Sequence, residues 1–282
     1  MQPLPRIPGY ELLTCLGGSL LTSVYAARVR ASDAPCAVKV LNRDWQDDAT
    51  AVKLLQREAR ACLAVHHPHL VKLLDAHVTR PPYFLVMEML GGESLRRRLR
   101  RDYRLDVGTT LWIVRQTAEA LGAMHRAGLA HADVKPDNIR VVGDGRAILL
   151  DLGFAHRQGE NAQLLQQGYV LGTVNYLAPE LCGPEPLDDL ASDLFSLGVT
   201  LFEMLTGQMP YPPGSIEQTF RRHEADPPAD VRRYAVSPLP VGLPELLERL
   251  LARHPDQRPR APAVVQQLIG LEIATIGQRR TA

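Results

Sequence analysis

The chain has 282 residues, 45% of them hydrophobic, enough to bury the core of one large two-lobed domain or two small ones. Its 32 Lys and Arg residues balance 31 Asp and Glu, leaving no electrostatic footprint for a nucleic-acid partner or an anionic membrane surface. The opening MQPLPRIPGY has no charged-then-apolar leader and no run approaches the ~20 apolar residues of a bilayer span, so a cytoplasmic chain without membrane insertion is expected. Cys15, Cys36, Cys62 and Cys182 lie far apart with no Cys-x-x-Cys pair, and they read as small buried hydrophobes rather than a disulfide framework or zinc site.

Along the first ninety residues, Val, Leu and aromatics predict strands at Tyr10–Leu16, Val24–Arg30, Cys36–Leu41, Val71–Val78 and Tyr83–Met89. One helix interrupts them over Asp48–Val65, where Leu54, Leu55, Ala61, Cys62 and Val65 recur at helical spacing before His66-His67-Pro68 ends it. Beyond Gly91-Gly92 the pattern turns helical: Leu111–Arg126, Ser192–Leu205, Pro244–Ala252 and Ala261–Ile273, with one strand at Ala147–Leu150. The proline-rich stretches 210–213 and 227–240 read as surface loops, and no internal repeat is present. The expectation is an α+β fold with a sheet-rich lobe over residues 10–88, a larger helical lobe over 89–270 and a tail over 271–282.

The densest chemistry lies in His131-Ala132-Asp133-Val134-Lys135-Pro136-Asp137-Asn138, followed after a hydrophobic run by Asp151-Leu152-Gly153. Two carboxylates, a lysine and an amide at these spacings suit a magnesium nucleotide held beside an acceptor hydroxyl. Such a transfer needs metal ligands, a cation for phosphate oxygens and one oriented carboxylate, with little covalent help from protein. Taken alone, Asp151-Leu152-Gly153 is a turn after a strand, and a lone Lys39–Glu58 pair is an ordinary ion pair.

Six motifs in one order nevertheless resemble the eukaryotic-like protein kinase family, in particular bacterial serine/threonine kinases, over roughly residues 10–270. Cys36-Ala37-Val38-Lys39 looks like the strand whose lysine touches the α and β phosphates, with Glu58 placed to pair with it. Only four of the 32 basic residues are lysines, and two of them fall at the positions the family pattern requires, Lys39 and Lys135. The resemblance implies ATP and Mg2+ as cofactors and protein substrates as partners. Asp133 would be the catalytic base, Lys135 the mark of serine/threonine specificity, and Asn138 and Asp151 the metal ligands. The nucleotide would lie against Leu16, Gly17, Val24, Ala37, Lys39, Glu58 and Asp151, with Met87 behind the adenine and the backbone of Glu88 and Met89 at its edge. Gly172-Thr173 to Glu180 would close the activation segment, Thr173 near Asp133 and Lys135, Glu180 paired with Arg258. Asp193 would accept hydrogen bonds from the catalytic-loop backbone. His131 is implied to be packed core with Leu152, Cys62 and Leu73, and the other eight histidines read as incidental.

Three departures stand out. Aligning the glycine-rich loop on Val24 puts Gly17, Ser19 and Thr22 at its three glycine positions, and a residue with Cβ forced left-handed would cost about 1–2 kcal/mol, which Gly18 partly offsets. Arg140 stands where an apolar side chain usually lies beneath the adenine; it either stacks on the base or disturbs the pocket. Ala132 replaces the arginine that receives a phosphorylated activation loop, a non-RD pattern, and residues 157–171 hold no Ser or Thr, only Tyr169. An activation segment that works without phosphorylation is expected. The alternative to an active kinase is a pseudokinase scaffold, which the altered loop and Arg140 favour and the retained charged set opposes.

Overall fold

The computed structural model describes residues 4–161, 171–182, 187 and 189–279. In the first lobe β1 (Tyr10–Gly18), β2 (Thr22–Val29), β3 (Pro35–Leu41), β4 (Leu73–His77) and β5 (Phe84–Glu88) form an antiparallel sheet of order β1-β2-β3-β5-β4. Side chains alternate across such a sheet, which splits β3 into two faces. Cys36, Val38 and Val40 join Phe84 and Val86 in an outer core, while Ala37 and Lys39 face the other way, Ala37 opposite Met87. Helix α1 (Ala49–Ala64) starts at Asp48, whose carboxylate accepts from Ala51 N at 2.8 Å, and its Leu55 and Ala59 pack on Leu41 and Leu85.

The second lobe holds α2 (Leu95–Asp102), α3 (Val107–Arg126), α4 (Ala191–Thr206), α5 (Ile216–Ala225), α6 (Leu243–Leu250) and α7 (Ala261–Arg279). The short strand β6 (Glu93–Ser94) leads into α2, and β7 (Leu129–Ala130), β8 (Ile139–Val141), β9 (Ala147–Leu149) and β10 (His156–Arg157) run between α3 and α4. They pair as β6-β8-β9 and β10-β7, fixing the loops between them. Every side chain of α4 from Ser192 to Thr206 is buried, so this helix forms the centre of the lobe. One apolar core runs from Ala37 and Met87 at the cleft through Leu152 to α3 and α4, joining the lobes.

The five-strand, one-helix lobe and the helical lobe agree with the expected α+β architecture. Val71 does not begin β4; its N–H donates to Leu149 O at 3.0 Å, a link between lobes. The last helix continues past Ile273 to Arg279. Helices α2 and α5 were absent from the sequence reading. Among the described residues no helix is long and apolar enough to cross a membrane.

Candidate active site

Lys39 projects from β3 into the cleft with 8% of its side chain exposed, and Glu58 rises to meet it from α1 with 3% exposed. Lys39 Nζ donates to both Glu58 oxygens, at 2.8 and 2.7 Å, and to Asp151 Oδ1 at 2.7 Å. Burial works against the charge on Lys39, yet Glu58 and Asp151 outweigh it and raise the lysine's pKa. Burial likewise opposes ionisation of Asp151, and the Lys39 ammonium overrides it, holding that carboxyl below its ordinary range. Glu58 is lifted by desolvation against the pull of Lys39. Asp151 has φ 59°, a left-handed conformation that aspartate tolerates, and its Oδ1 accepts from Gly153 N at 3.3 Å. A Cβ at Gly153 would stand 3.1 Å from that same oxygen, 3.5 Å from Glu58 Oε2 and 3.6 Å from Lys39 Nζ, so glycine leaves room for the ion cluster.

Across the cleft the segment between β7 and β8 brings together Asp133, Lys135 and Asn138. Asp133 Oδ1 accepts from Thr173 Oγ1 at 2.7 Å; its Oδ2 accepts from Asn138 Nδ2 at 2.8 Å and meets Lys135 Nζ at 2.7 Å. Lys135 Nζ also donates to Thr173 Oγ1 at 2.5 Å. Asn138 spends its amide hydrogens on Asp133, on the main-chain oxygen as well as the carboxylate, which leaves its side-chain oxygen for a cation. Ala132 is left-handed at φ 64°, a strained choice for a residue with Cβ, and Asp193 on α4 over-determines it by accepting from His131 N and Ala132 N, both at 2.8 Å. His125 on α3 closes this cluster, its Nε2 donating to Asp193 Oδ2 at 2.8 Å. Burial opposes the Asp193 charge, but the His125 contact prevails and keeps its pKa low. His125 is therefore not incidental, contrary to the sequence expectation. His131 is fully buried, with Nε2 donating to Leu150 O and Nδ1 accepting from Asp133 N, while Cys62 and Leu152 share the central core and Leu73 packs against it.

The expectation of left-handed strain in the β1–β2 turn is overturned. Neither Ser19 nor Thr22 has positive φ. Instead Ser19 N donates to Thr22 O at 2.7 Å, and Ser19 Oγ accepts from Leu21 N at 3.3 Å and Thr22 N at 3.2 Å. Asn42 then pins the tip from behind β3, its Nδ2 donating to Leu20 O at 2.9 Å and Ser19 O at 3.3 Å. Gly18 is the glycine this hairpin requires, because a Cβ there would lie 2.6 Å from Thr22 O. Arg140, half-buried on β8, donates from Nε to Gly91 O at 2.7 Å and from Nη2 to Gly92 O at 2.9 Å, tying the floor of the cleft to the chain leaving β5. Val24 and Ala37 lie in register beside Lys39 and Met87; Leu16, 54% exposed, and Gly17 lie on β1, Glu88 ends β5 and Met89 follows it.

Beyond the cleft, Arg258 Nη1 and Nη2 donate to the two Glu180 oxygens at 2.6 Å each, and Ser192 Oγ donates to Glu180 Oε1 at 2.6 Å. Arg96 on α2 reaches Asp137 at 3.0 Å, Glu203 and the Tyr176 hydroxyl, a cluster that sequence spacing did not reveal. Tyr169 lies outside the described residues. Leu150 N donates to Asn138 O at 2.8 Å, so the segment carrying Asp151 is tied to the one carrying the aspartate–lysine–threonine triad, an arrangement suited to charged phosphate oxygens and an acceptor hydroxyl. Among the described residues no group of three or more His, Cys, Asp or Glu is spaced to hold a metal unaided. A divalent cation that also takes phosphate oxygens needs only one or two protein donors, and Asp151 with the Asn138 oxygen fits that hard-oxygen set.

Residues 10–268 match the family model for the protein kinase domain. The chain is 33% identical over 249 residues to the serine/threonine-protein kinase PknD of Mycobacterium tuberculosis, covering 88% of this chain and 37% of that protein. It is 32% identical over 256 residues to PknB of Mycobacterium leprae, covering 88% and 40%, and 30% identical over 259 residues to pkn3 of Myxococcus xanthus, covering 89% and 47%. It thus spans less than half the length of each of these relatives.

Proposed function

The chain belongs to the protein kinase family, and from that premise we propose that it is a serine/threonine protein kinase transferring the γ-phosphate of Mg-ATP to protein hydroxyls. The observation that carries this reading is two preassembled charge clusters, Lys39 with Glu58 and Asp151, and Asp133 with Lys135, Asn138 and Thr173, whose segments are joined by Leu150 N donating to Asn138 O at 2.8 Å. Lys39, held by Glu58, binds α- and β-phosphate oxygens. Asp133 orients the acceptor hydroxyl; as its oxygen bonds to the γ-phosphorus, the bond to the oxygen bridging the β-phosphate breaks and the hydroxyl proton passes to Asp133. Lys135 balances the negative charge beside that transfer. Magnesium, held by Asn138 and Asp151 when bound, supplies charge neutralisation at the phosphates. Lobe closure around the nucleotide excludes water that would otherwise hydrolyse it.

Ala132 and the absence of Ser and Thr from residues 157–171 support an activation segment that works unphosphorylated. ATP as donor and four free cysteines support a cytoplasmic site of action. The test is transfer from labelled ATP to casein with and without magnesium, for wild type, Asp133→Asn and Lys39→Met. Magnesium-dependent transfer by wild type, abolished in both variants and unchanged by prior phosphatase treatment, is expected. Magnesium-independent incorporation equal in all three sinks the reading. One specific observation favours a scaffold instead, the loop amides already satisfied by Ser19; nucleotide binding with no transfer in any protein is its signature.

A further inference from the structure

The described start of the activation segment is tied to α1 by a contact that has no part in binding nucleotide or acceptor. From the end of β10, residues Arg157 to Glu160 make a tight turn: Glu160 N donates to Arg157 O at 2.9 Å and Arg157 N to Glu160 Oε2 at 3.0 Å. The turn leaves Glu160 Oε1 facing α1, 3.2 Å from Arg57 Nε and 3.8 Å from Arg60 Nη2. Arg57 Nη1 also donates to Asn161 Oδ1 at 2.9 Å, and Asn161 is only 3% exposed. Arg57 immediately precedes Glu58 on the same helical turn, so any shift of α1 that breaks one contact strains the other.

We propose that Arg57, Glu160 and Asn161 form a permanent latch that positions α1, and through it the Glu58–Lys39 pair, in place of an activation-loop phosphate. The inference rests on the kinase reading above. A phosphate-gated segment needs an anion added by modification and a cation to receive it. Here the anion is genetically encoded at Glu160 and the cation that meets it, Arg57, lies on α1, while the catalytic loop has Ala132. Arg60, largely exposed and at 3.8 Å, adds little; the work falls on Arg57, which makes both the ion pair and the bond to a buried acceptor.

The full chain, treated with phosphatase and then with phosphatase removed, is assayed for casein phosphorylation, and hydrogen exchange is followed in residues 49–64. Arg57→Glu and Glu160→Arg are each expected to lower kcat on the order of tenfold, as loss of one charge-assisted contact implies, with KM for casein unchanged and exchange in 49–64 faster. The double swap Arg57→Glu/Glu160→Arg is expected to recover at least half of each loss. Single variants with wild-type kcat and exchange, or a folded double swap no better than the singles, overturn the latch. If wild type transfers no phosphate, the functional reading fails while the exchange arm still decides the latch: faster exchange in the singles, reversed in the swap, sustains it and unchanged exchange refutes it.

Discussion

Replacing Lys39 by methionine keeps the length and apolar stem of the side chain but strips the cation from a cluster in which Glu58 is 3% exposed. Glu58 then faces the protein interior with no countercharge, with Asp151 as its nearest charged neighbour. Breaking a buried pair by removing one partner costs about 3–5 kcal/mol, far above the 0–1 kcal/mol of an exposed pair. Asp151 contributes less, since 44% of its side chain is open to the cleft. We expect Lys39→Met to destabilise the first lobe by about 3 kcal/mol at pH 7, and Lys39→Met/Glu58→Leu to recover most of that without recovering transfer. Glu58→Leu alone should cost less than Lys39→Met, because Lys39 keeps Asp151 as a partner. Urea unfolding in a Trp112→Phe background reads the first lobe through Trp45, which packs against the Leu41–Leu55–Leu85 cluster under α1. Acidification should narrow the gap between Lys39→Met and wild type, as the raised pKa of Glu58 lets it take a proton and shed its unpaired charge. A Lys39→Met variant within about 0.5 kcal/mol of wild type at pH 7 would refute the enclosed pair and with it the assembled position of α1.

Ser19→Gly frees the amides of Leu21 and Thr22 that its hydroxyl now accepts, so KM for ATP should fall about three- to tenfold in steady-state transfer; an unchanged or higher KM shows those amides do not limit phosphate binding. His223 on α5 is buried between Tyr211, ring centroids 4.4 Å apart, and Phe195 at 5.5 Å, and this burial outweighs the favourable backbone of Leu177 to push its pKa down to about 4. Its contribution is intact above the ordinary histidine value near 6.5 and is lost as pH falls from there towards 4, about 1.4 kcal/mol per pH unit and so about 2 kcal/mol by pH 5. His223→Phe should flatten that part of the stability profile in urea melts between pH 7 and 4.5, and an unaltered slope would place the acid sensitivity elsewhere.

What the sequence revealed and what it concealed divide along a physical line. Lys39, Glu58, Asp133, Asn138 and Asp151 were legible because they fall at fixed offsets in motifs that occur in one order, and because lysine is scarce in a chain that otherwise uses arginine. Helix α1 was legible from its apolar stripe. Helix α2 was not: six charged residues surround Leu95 and Leu99, which alone are buried, so its stripe is two residues wide. Helix α5 buries Thr219 and His223, polar residues that carry no hydrophobic period at all. The β1–β2 turn misled for a different reason. Missing glycines implied left-handed strain only if the loop kept the path those glycines permit, whereas Ser19 and Asn42 supply hydrogen bonds for a tighter hairpin that needs no positive φ. The contacts of His125 with Asp193 and of Arg57 with Glu160 join residues 68 and 103 positions apart, and of the four only Asp193 carries a local signature. Such pairs are specified by the packed lobes rather than by spacing, and only the folded chain brings their members within bonding distance.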